Sequence, residues 1–192
     1  MAKRKGTLEI EEALEARCRF KRIYGCKEVT IGFYNAGLGN EVVDYITMDS
    51  KGILRCYEIK VTVQDLRSMA KKSWYGHYNY LVVSPELLDK VADWSQYLPE
   101  GVGLLSAGLS SIVRPKKKDI SIENSIMLKE SMIRSMYWKM DKQRNADSLE
   151  NLQRLEKRIR DMEKEMRRKE EYYNKIFRKI SEYERENGVE IY

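Results

Sequence analysis

The sequence predicts an α/β domain followed by a helical tail. Within residues 1–114, runs rich in β-branched and aromatic residues alternate with runs of helical periodicity, an order typical of a sheet covered by helices. Residues 115–121 read as a basic linker, and within residues 122–192 apolar residues recur in steps of three and four. We therefore expect a mixed sheet with covering helices, and a coiled-coil region that serves oligomerisation or partner binding.

The first predicted helix covers residues 7–23. Thr7 can cap it, and Ile10, Leu14 and Cys18 recur every four residues, as the buried face of a helix does. Later strands are indicated by β-branched and aromatic runs, loops by Gly and Asn, and helix starts by Thr or Pro. These later elements are a strand at 25–34, a loop at 35–41, a hairpin within 42–61, a helix at 62–73 capped by Thr62, a strand at 78–84, a helix opened by Pro85 at 85–94, and a last strand at 101–107.

The tail predicts two helices. The first covers residues 123–140, and Asp147 with Glu150 forms a capping-box-like start for the second. From there the apolar positions follow a heptad seam that only Lys169 interrupts. The seam could pair with another subunit or with the preceding tail helix folded back. Its members are Leu152, Leu155, Ile159, Met162, Met166, Tyr173, Ile176, Ile180 and Tyr183.

The overall composition favours a soluble, cytoplasmic protein. The 192-residue chain has a formal net charge of +6, which permits nucleic-acid binding without establishing it. Cys18, Cys26 and Cys56 are odd in number and lack CxxC spacing, which argues against a disulfide framework and a structural zinc site. No apolar run approaches the ~18 residues of a membrane span.

The hairpin carries charged residues inside strand-like runs, and its register decides which of them meet. A four-residue loop would oppose Asp44 to Tyr57, whereas a three-residue loop ending at Gly52 opposes Asp44 to Glu58. We expect the second register because the last position of a three-residue loop is left-handed, which glycine adopts readily. Lys60 then shares a face with Glu58, two residues further along the strand.

Two carboxylates and one amine at one end of a hairpin suit phosphodiester hydrolysis. Carboxylates on neighbouring strands can hold Mg²⁺, which polarises a phosphate and lowers the pKa of bound water. A lysine beside them can orient that water or stabilise negative charge in the transition state. The ordinary alternative is that Asp44 and Lys60 are edge-strand charges that form an ion pair.

The runs VVDYIT, YEIKVTVQDL and NYLVV resemble the PD-(D/E)XK nuclease superfamily, whose D…ExK signature lies on a β-hairpin. Within it, EVTIG, GHYNYLVV and SMIRSMY are similar to the MmcB-like proteins of phages and prophages, over most of residues 7–140. The resemblance implies a restriction-endonuclease-like αβββαβ core and a Mg²⁺- or Mn²⁺-dependent DNA hydrolase of repair, recombination or replication. A phage-encoded member would act in the host cytoplasm. Val43 departs from the family pattern, which has proline there.

The resemblance also implies roles for individual residues. Asp44 and Glu58 would be metal ligands, the Ile59 carbonyl a third oxygen ligand, and Lys60 the catalytic lysine. Many members add a glutamate from the first helix as a further catalytic and metal-binding residue. Glu11 lies closest to the apolar face of that helix and is our first choice, followed by Glu15, with Glu12 as the remaining candidate.

Several residues after the motif are candidates for DNA contacts. Gln64 stands where relatives place a polar residue over the site, and Lys71, Lys72 and Trp74 mix cations with an aromatic ring, as DNA-contacting surfaces do. His77 could bind phosphate. The ordinary interpretations are a packed surface for the cations and aromatic ring, and a corner residue with a satisfied hydrogen bond for the histidine.

Two functions therefore compete. The first is a metal-dependent DNA nuclease that forms a homodimer through its coiled coil. The second is a catalytically inactive protein of nuclease fold that binds DNA or a protein and assembles through the coiled coil. An intact D…ExK motif favours the first, because a pure binder gains nothing from carboxylates clustered near phosphate.

Overall fold

The computed structural model describes residues 5–32, 41–68, 74–146 and 148–188. The chain forms two compact units, Met1–Lys139 and Met140–Tyr192. The first unit holds a mixed β-sheet with covering helices, and the second holds a long C-terminal helix, as predicted. The elements are α1 (Lys5–Lys21), β1 (Tyr24–Thr30), β2 (Val42–Met48), β3 (Leu54–Lys60), α2 (Val63–Leu66), β4 (Tyr78–Val83), α3 (Pro85–Lys90), β5 (Gly103–Ser106), β6 (Ser111–Val113), α4 (Ile122–Ala146) and α5 (Leu149–Asn187).

The six strands form one sheet in the order β1-β2-β3-β4-β5-β6. The pairs β1–β2, β2–β3 and β5–β6 are antiparallel, whereas β3–β4 and β4–β5 are parallel. The parallel pairs require crossovers, which α2 and α3 help to supply. β3 therefore runs through the middle of the sheet with an antiparallel neighbour on one side and a parallel neighbour on the other.

Helix α1 covers one face of the sheet. Ile10 and Leu14 are buried against Tyr45, Tyr57 and Ile59 from β2 and β3. These positions alternate along β3, so the residues between them face the opposite side. The apolar face predicted for the first helix is thus confirmed as its packing surface.

The opposite face is covered in two parts. Leu128 and Met132 of α4 pack on the β1–β3 half, while Leu66 of α2 and Leu87 of α3 pack on the β4–β5 half. Helix α4 also hydrogen-bonds to the backbone just after β1, where the amide of Gly32 donates to Ser131 Oγ at 3.0 Å. The first unit therefore extends to Lys139, past the boundary we expected at residues 114–121.

Several element boundaries differ from the predicted ones. Helix α1 is already formed at Lys5, so Thr7 lies inside it and is not its cap. The predicted last strand is followed by β6, whose three exposed residues are too few to show a periodic pattern. Helix α5 is capped by Ser148, whose Oγ accepts from the amide of Asn151 at 3.4 Å. The residue expected in that role, Asp147, lies outside the described residues.

Two helix predictions were too long. Helix α2 has only four residues, although Thr62 caps it as predicted and accepts from the amide of Asp65 at 3.2 Å. Helix α3 starts at Pro85 as predicted but ends at Lys90, because Val91 adopts an extended conformation.

No helix in the described ranges combines the length and apolar character needed to cross a membrane.

Candidate active site

The hairpin between β2 and β3 has the predicted three-residue loop. Its strands pair from Met48 opposite Leu54 to Tyr45 opposite Tyr57. At the turn, the amide of Gly52 donates to the carbonyl of Asp49 at 2.9 Å, and Gly52 is left-handed with a φ of 74°. The register expected from glycine at this position is confirmed over the paired residues, which end at Tyr45 and Tyr57.

Beyond Tyr45 the contact between the two strands changes character. The amide of Ile59 donates at 2.7 Å to Asp44 Oδ2 instead of to a backbone carbonyl of β2. Where β2 and β3 separate, the Asp44 side chain thus accepts the hydrogen bond that a backbone carbonyl accepts in a regular β-ladder. The carboxylate of Asp44 is consequently held against the backbone of β3, at the residue that lies between Glu58 and Lys60.

Glu58 and Lys60 lie at the end of β3, on the face opposite to α1. Both are buried, with 3% and 8% of their surface exposed. Lys60 Nζ is 4.0 Å from Glu58 Oε2 and 3.6 Å from Asp65 Oδ1. Because a buried charge is costly unless it is paired, these contacts account for charged residues in an otherwise apolar strand.

Asp65 is a member of this cluster that we did not single out from the sequence. It stands three residues after the cap Thr62, in the first turn of α2, and that turn begins directly after β3. The capping geometry therefore brings its carboxylate back towards Lys60. The spacing of Asp65 from the ExK motif and from a capping threonine was the signal available in the sequence.

Glu11 is buried, as the helical wheel predicted, with 3% of its surface exposed. It lies on α1, which covers the face of Tyr57 and Ile59, and its Oε2 is 4.0 Å from Lys27 Nζ. Lys27 Nζ also approaches Glu15 Oε1, at 3.2 Å. The structure thus places Glu11 beside a lysine of β1, whereas Glu58 lies beside Lys60 on the other face.

The donor atoms at the end of the hairpin fit a hard divalent cation. Mg²⁺ takes oxygen ligands and is usually held by one or two carboxylates together with water and substrate phosphate. Asp44, Glu58 and the Ile59 carbonyl are oxygen donors on adjacent or hydrogen-bonded positions. Across the described residues, however, three or more His, Cys, Asp or Glu side chains do not gather into a group that could hold a metal. The fit therefore rests on two carboxylates and a carbonyl.

The residues predicted to contact DNA do not gather at this end of the sheet. Gln64 is exposed on α2, next to Asp65 and close in the chain to Lys60. Trp74 and His77 precede β4, and the parallel register sets Tyr78 beside Arg55, at the start of β3. Along the strand that is about 17 Å from Lys60. The structure therefore does not bring Trp74 and His77 to the end of the sheet that holds Lys60, while Lys71 and Lys72 lie outside the described residues.

His77 is engaged in the fold. Its Nδ1 accepts from the amide of Leu54 at 3.1 Å, which supports the ordinary interpretation of a corner residue. Burial, followed by the positive charge of Lys117, lowers the pKa of His77 below its ordinary value of 6.5. The neutral imidazole is the form whose Nδ1 can accept this hydrogen bond.

Two basic cavities open near the start of β3 and β4. The first, of about 490 Å³, lies on the α1 face. Its lining includes Arg17, Lys21, Lys51, Arg55, Tyr57 and Tyr80. The second, of about 390 Å³, is lined in part by Trp74, Lys116, Lys117 and Lys118. Clustered cationic side chains can bind phosphates, and aromatic rings beside them can stack on nucleic-acid bases.

Comparison with known proteins identifies a solved structure with a similar fold but no family to which the chain can be assigned. No family model matches the sequence, and no curated protein matches it either. The fold is similar to that of a solved protein of unknown function from Silicibacter pomeroyi, with a TM-score of 0.56 and 16% sequence identity. The match covers 76% of this chain and 94% of the other.

Proposed function

We propose that the protein is a divalent-metal-dependent DNA nuclease of the PD-(D/E)XK type. The observation that carries this proposal is the end of the β2–β3 hairpin. There Asp44 is bound to the backbone of Ile59, and the buried Glu58 and Lys60 stand on either side of that residue. Carboxylates on neighbouring strands beside a lysine are the groups that metal-dependent hydrolysis of a phosphodiester uses.

The roles follow from position and chemistry. Asp44 and Glu58, with the Ile59 carbonyl, would hold Mg²⁺ or Mn²⁺, which supplies a polarised phosphate and a more acidic water when bound. Lys60 orients the attacking water or stabilises charge on the phosphate in the transition state. Asp65, at 3.6 Å from Lys60 Nζ, positions that ammonium group. Burial of Glu58 and Lys60 strengthens the interaction between them because little water screens it.

The charge distribution supports a polyanionic substrate. The two basic cavities contribute Arg17, Lys21 and Lys51 on one face and Lys117 and Lys118 near the other, while Arg55 and Lys116 pair with Asp49 and Glu100 of the same linings. Phosphate contacts of this kind give affinity without sequence readout, and they weaken steeply as salt rises. We therefore expect DNA binding to depend on ionic strength more than on sequence.

A second function is favoured by a different observation. Lys60 is already paired with Glu58 and Asp65, and the described residues form no group of three metal-binding side chains. Such a site, whose charged side chains already pair with one another, is expected in an inactive protein of nuclease fold. That protein would bind DNA or a protein and assemble through α5. DNA binding without cleavage is the outcome that separates this alternative from the first.

The test is cleavage of labelled single-stranded, duplex, flap and four-way-junction DNA with Mg²⁺ or Mn²⁺. Lys60→Met keeps most of the buried side-chain length and removes the charge, and we expect it to lower the rate at least 100-fold. Lys90→Met, at the exposed end of α3, is the matched control and should cleave like the wild type. Thermal unfolding of each variant separates lost chemistry from lost folding.

Each outcome decides between the two functions. Cleavage that EDTA and Lys60→Met abolish supports the nuclease. Cleavage that survives Lys60→Met refutes the assignment of the site. A folded wild type that binds these substrates and cleaves none of them supports the inactive binding protein.

A further inference from the structure

Helix α5 presents a long apolar seam to solvent. The helix has 39 residues, which corresponds to a length of about 58 Å, and it contains no buried residue. The seam residues from Leu152 to Met166, together with Tyr173 and Tyr183, are 50–62% exposed. An exposed apolar surface of this extent marks an interaction site.

The seam follows one heptad register from end to end. Taking Ile159 as position a and Met162 as position d, every a and d position is apolar except Lys169 at d. The a positions are Leu152, Ile159, Met166, Tyr173 and Ile180, and the d positions are Leu155, Met162, Lys169, Ile176 and Tyr183. We propose that α5 pairs with α5 of a second copy of this chain in a parallel, in-register, two-stranded coiled coil.

The residues that flank the seam argue against the antiparallel arrangement. In an antiparallel pair, e positions face e positions of the partner, and four of the five e positions along the seam carry glutamate. Like charges that face one another destabilise the pair. These e-position glutamates are Glu156, Glu163, Glu170 and Glu184, with Phe177 as the exception.

The parallel arrangement turns most of the same residues into matching pairs. In it, each g position faces the e position five residues later on the partner. Arg158 then faces Glu163, and Lys179 faces Glu184. Tyr172 faces Phe177, which extends the apolar seam by an aromatic contact on each side. Two-fold symmetry repeats every one of these contacts.

Lys169 offsets the one unfavourable pair of the parallel arrangement. Glu165 at g faces Glu170 at e of the partner, and Lys169 at d lies between these two heptad positions. Lys169 Nζ is 3.0 Å from Glu165 Oε1 within one helix, so its charge already reaches the g position. The in-register pair brings two lysines among four glutamates. A shift by one heptad would instead set each lysine against an apolar layer, so Lys169 fixes the register.

A second copy fits this surface better than a different protein does. The g and e charges match those of the same sequence, and a two-fold axis along the helices gives every seam residue an identical partner in the same layer. The seam spans five a and five d positions, enough to approach the roughly 800 Å² per partner of a stable interface. This proposal does not depend on the proposed nuclease activity.

The orientation can be tested by disulfide formation in the full-length protein. Asn187 occupies the next a position at the exposed end of α5, and the three native cysteines are buried. Asn187→Cys should form a disulfide-linked dimer under mild oxidation, because parallel helices bring the two copies of residue 187 together. Asn174→Cys, at an outward b position, is the control and should stay unlinked. A mixture in which Asn187→Cys links only to Ser148→Cys, at a d position, would overturn the parallel arrangement, because antiparallel helices set a positions against d positions.

Self-association itself is tested by sedimentation equilibrium. Ile159→Lys places a charge in the seam and should raise the dimer Kd at least 100-fold. Asp161→Lys adds the same charge at an outward c position and should leave the Kd within about threefold. A wild type that remains monomeric at about 100 µM would overturn the proposal, as would an Ile159→Lys variant that still dimerises like the wild type.

Discussion

The hydrogen bond from Ile59 to Asp44 can be separated from the charge of Asp44 by two substitutions. Asp44→Asn removes the charge but keeps an oxygen that can accept from the Ile59 amide, whereas Asp44→Ala removes both. Because Ile59 is 4% exposed, alanine leaves a buried amide without this acceptor. An unsatisfied buried donor costs about 1–3 kcal/mol. We expect Asp44→Ala to unfold with a free energy lower by that amount than Asp44→Asn, measured by urea denaturation without metal.

The same variants test the metal. A ligand that binds the folded state at one hundred times its Kd stabilises it by about 2.7 kcal/mol. Mg²⁺ should therefore stabilise the wild type and neither variant, since both lack the Asp44 carboxylate. Equal stability of the two variants without metal would refute the role assigned to the hydrogen bond. Stabilisation of Asp44→Asn by Mg²⁺ to the same degree as the wild type would refute the role of Asp44 as a ligand.

Two further predictions concern the ends of the hairpin. His77 has a pKa lowered below 6.5, so the unfolded state takes up its proton first and protonation favours unfolding. As the pH falls from about 7.5 to 5.5, the free energy of unfolding of the wild type should therefore decrease more than that of His77→Asn. Urea titrations at each pH measure this difference, and parallel pH profiles of the two proteins would contradict the prediction. Gly52→Ala should cost about 1–2 kcal/mol because Gly52 has a φ of 74°. Gly108→Ala is its control, since a Cβ there meets nothing within 4 Å, and equal losses in the two variants would rule out backbone strain at Gly52.

The hairpin could be predicted because its register is encoded locally. Gly52 alone favours a three-residue loop, and that loop determines which residues face each other over the whole hairpin. The bond between Asp44 and the Ile59 amide could not be predicted in the same way. It depends on where β2 and β3 separate, and the loop does not determine that point.

For Trp74 and His77, nearness to the ExK motif along the chain does not give nearness to it in space. A parallel crossover carries the chain from the end of β3 back to the level of its start before β4 begins. Residues just after β3, such as Gln64 and Asp65, therefore stay near Lys60. Residues just before β4 lie a full strand length away, although only a short segment separates the two groups in sequence.

Helix α4 shows the opposite limitation. Its apolar residues resemble those of the tail that follows, and the basic stretch before it suggested a boundary. Leu128, Ser131 and Met132 nevertheless complete the sheet face next to β1, where Tyr75 and Ile120 also pack. The helix that closes a core cannot be told from the first helix of a tail until the open face of the sheet is known.

The difference in loop length around β3 has a consequence for the order of folding. The cost in entropy of closing a loop grows with its length, and the loop between β2 and β3 is far shorter than the segment 61–77 that leads to β4. Hairpins of this kind form within about 1–10 µs, whereas parallel pairing waits for a crossover to be ordered. During synthesis, the β2–β3 hairpin can therefore form as soon as residue 60 has left the ribosome, before any parallel neighbour exists. The hairpin would then be an early template on which the remaining sheet assembles.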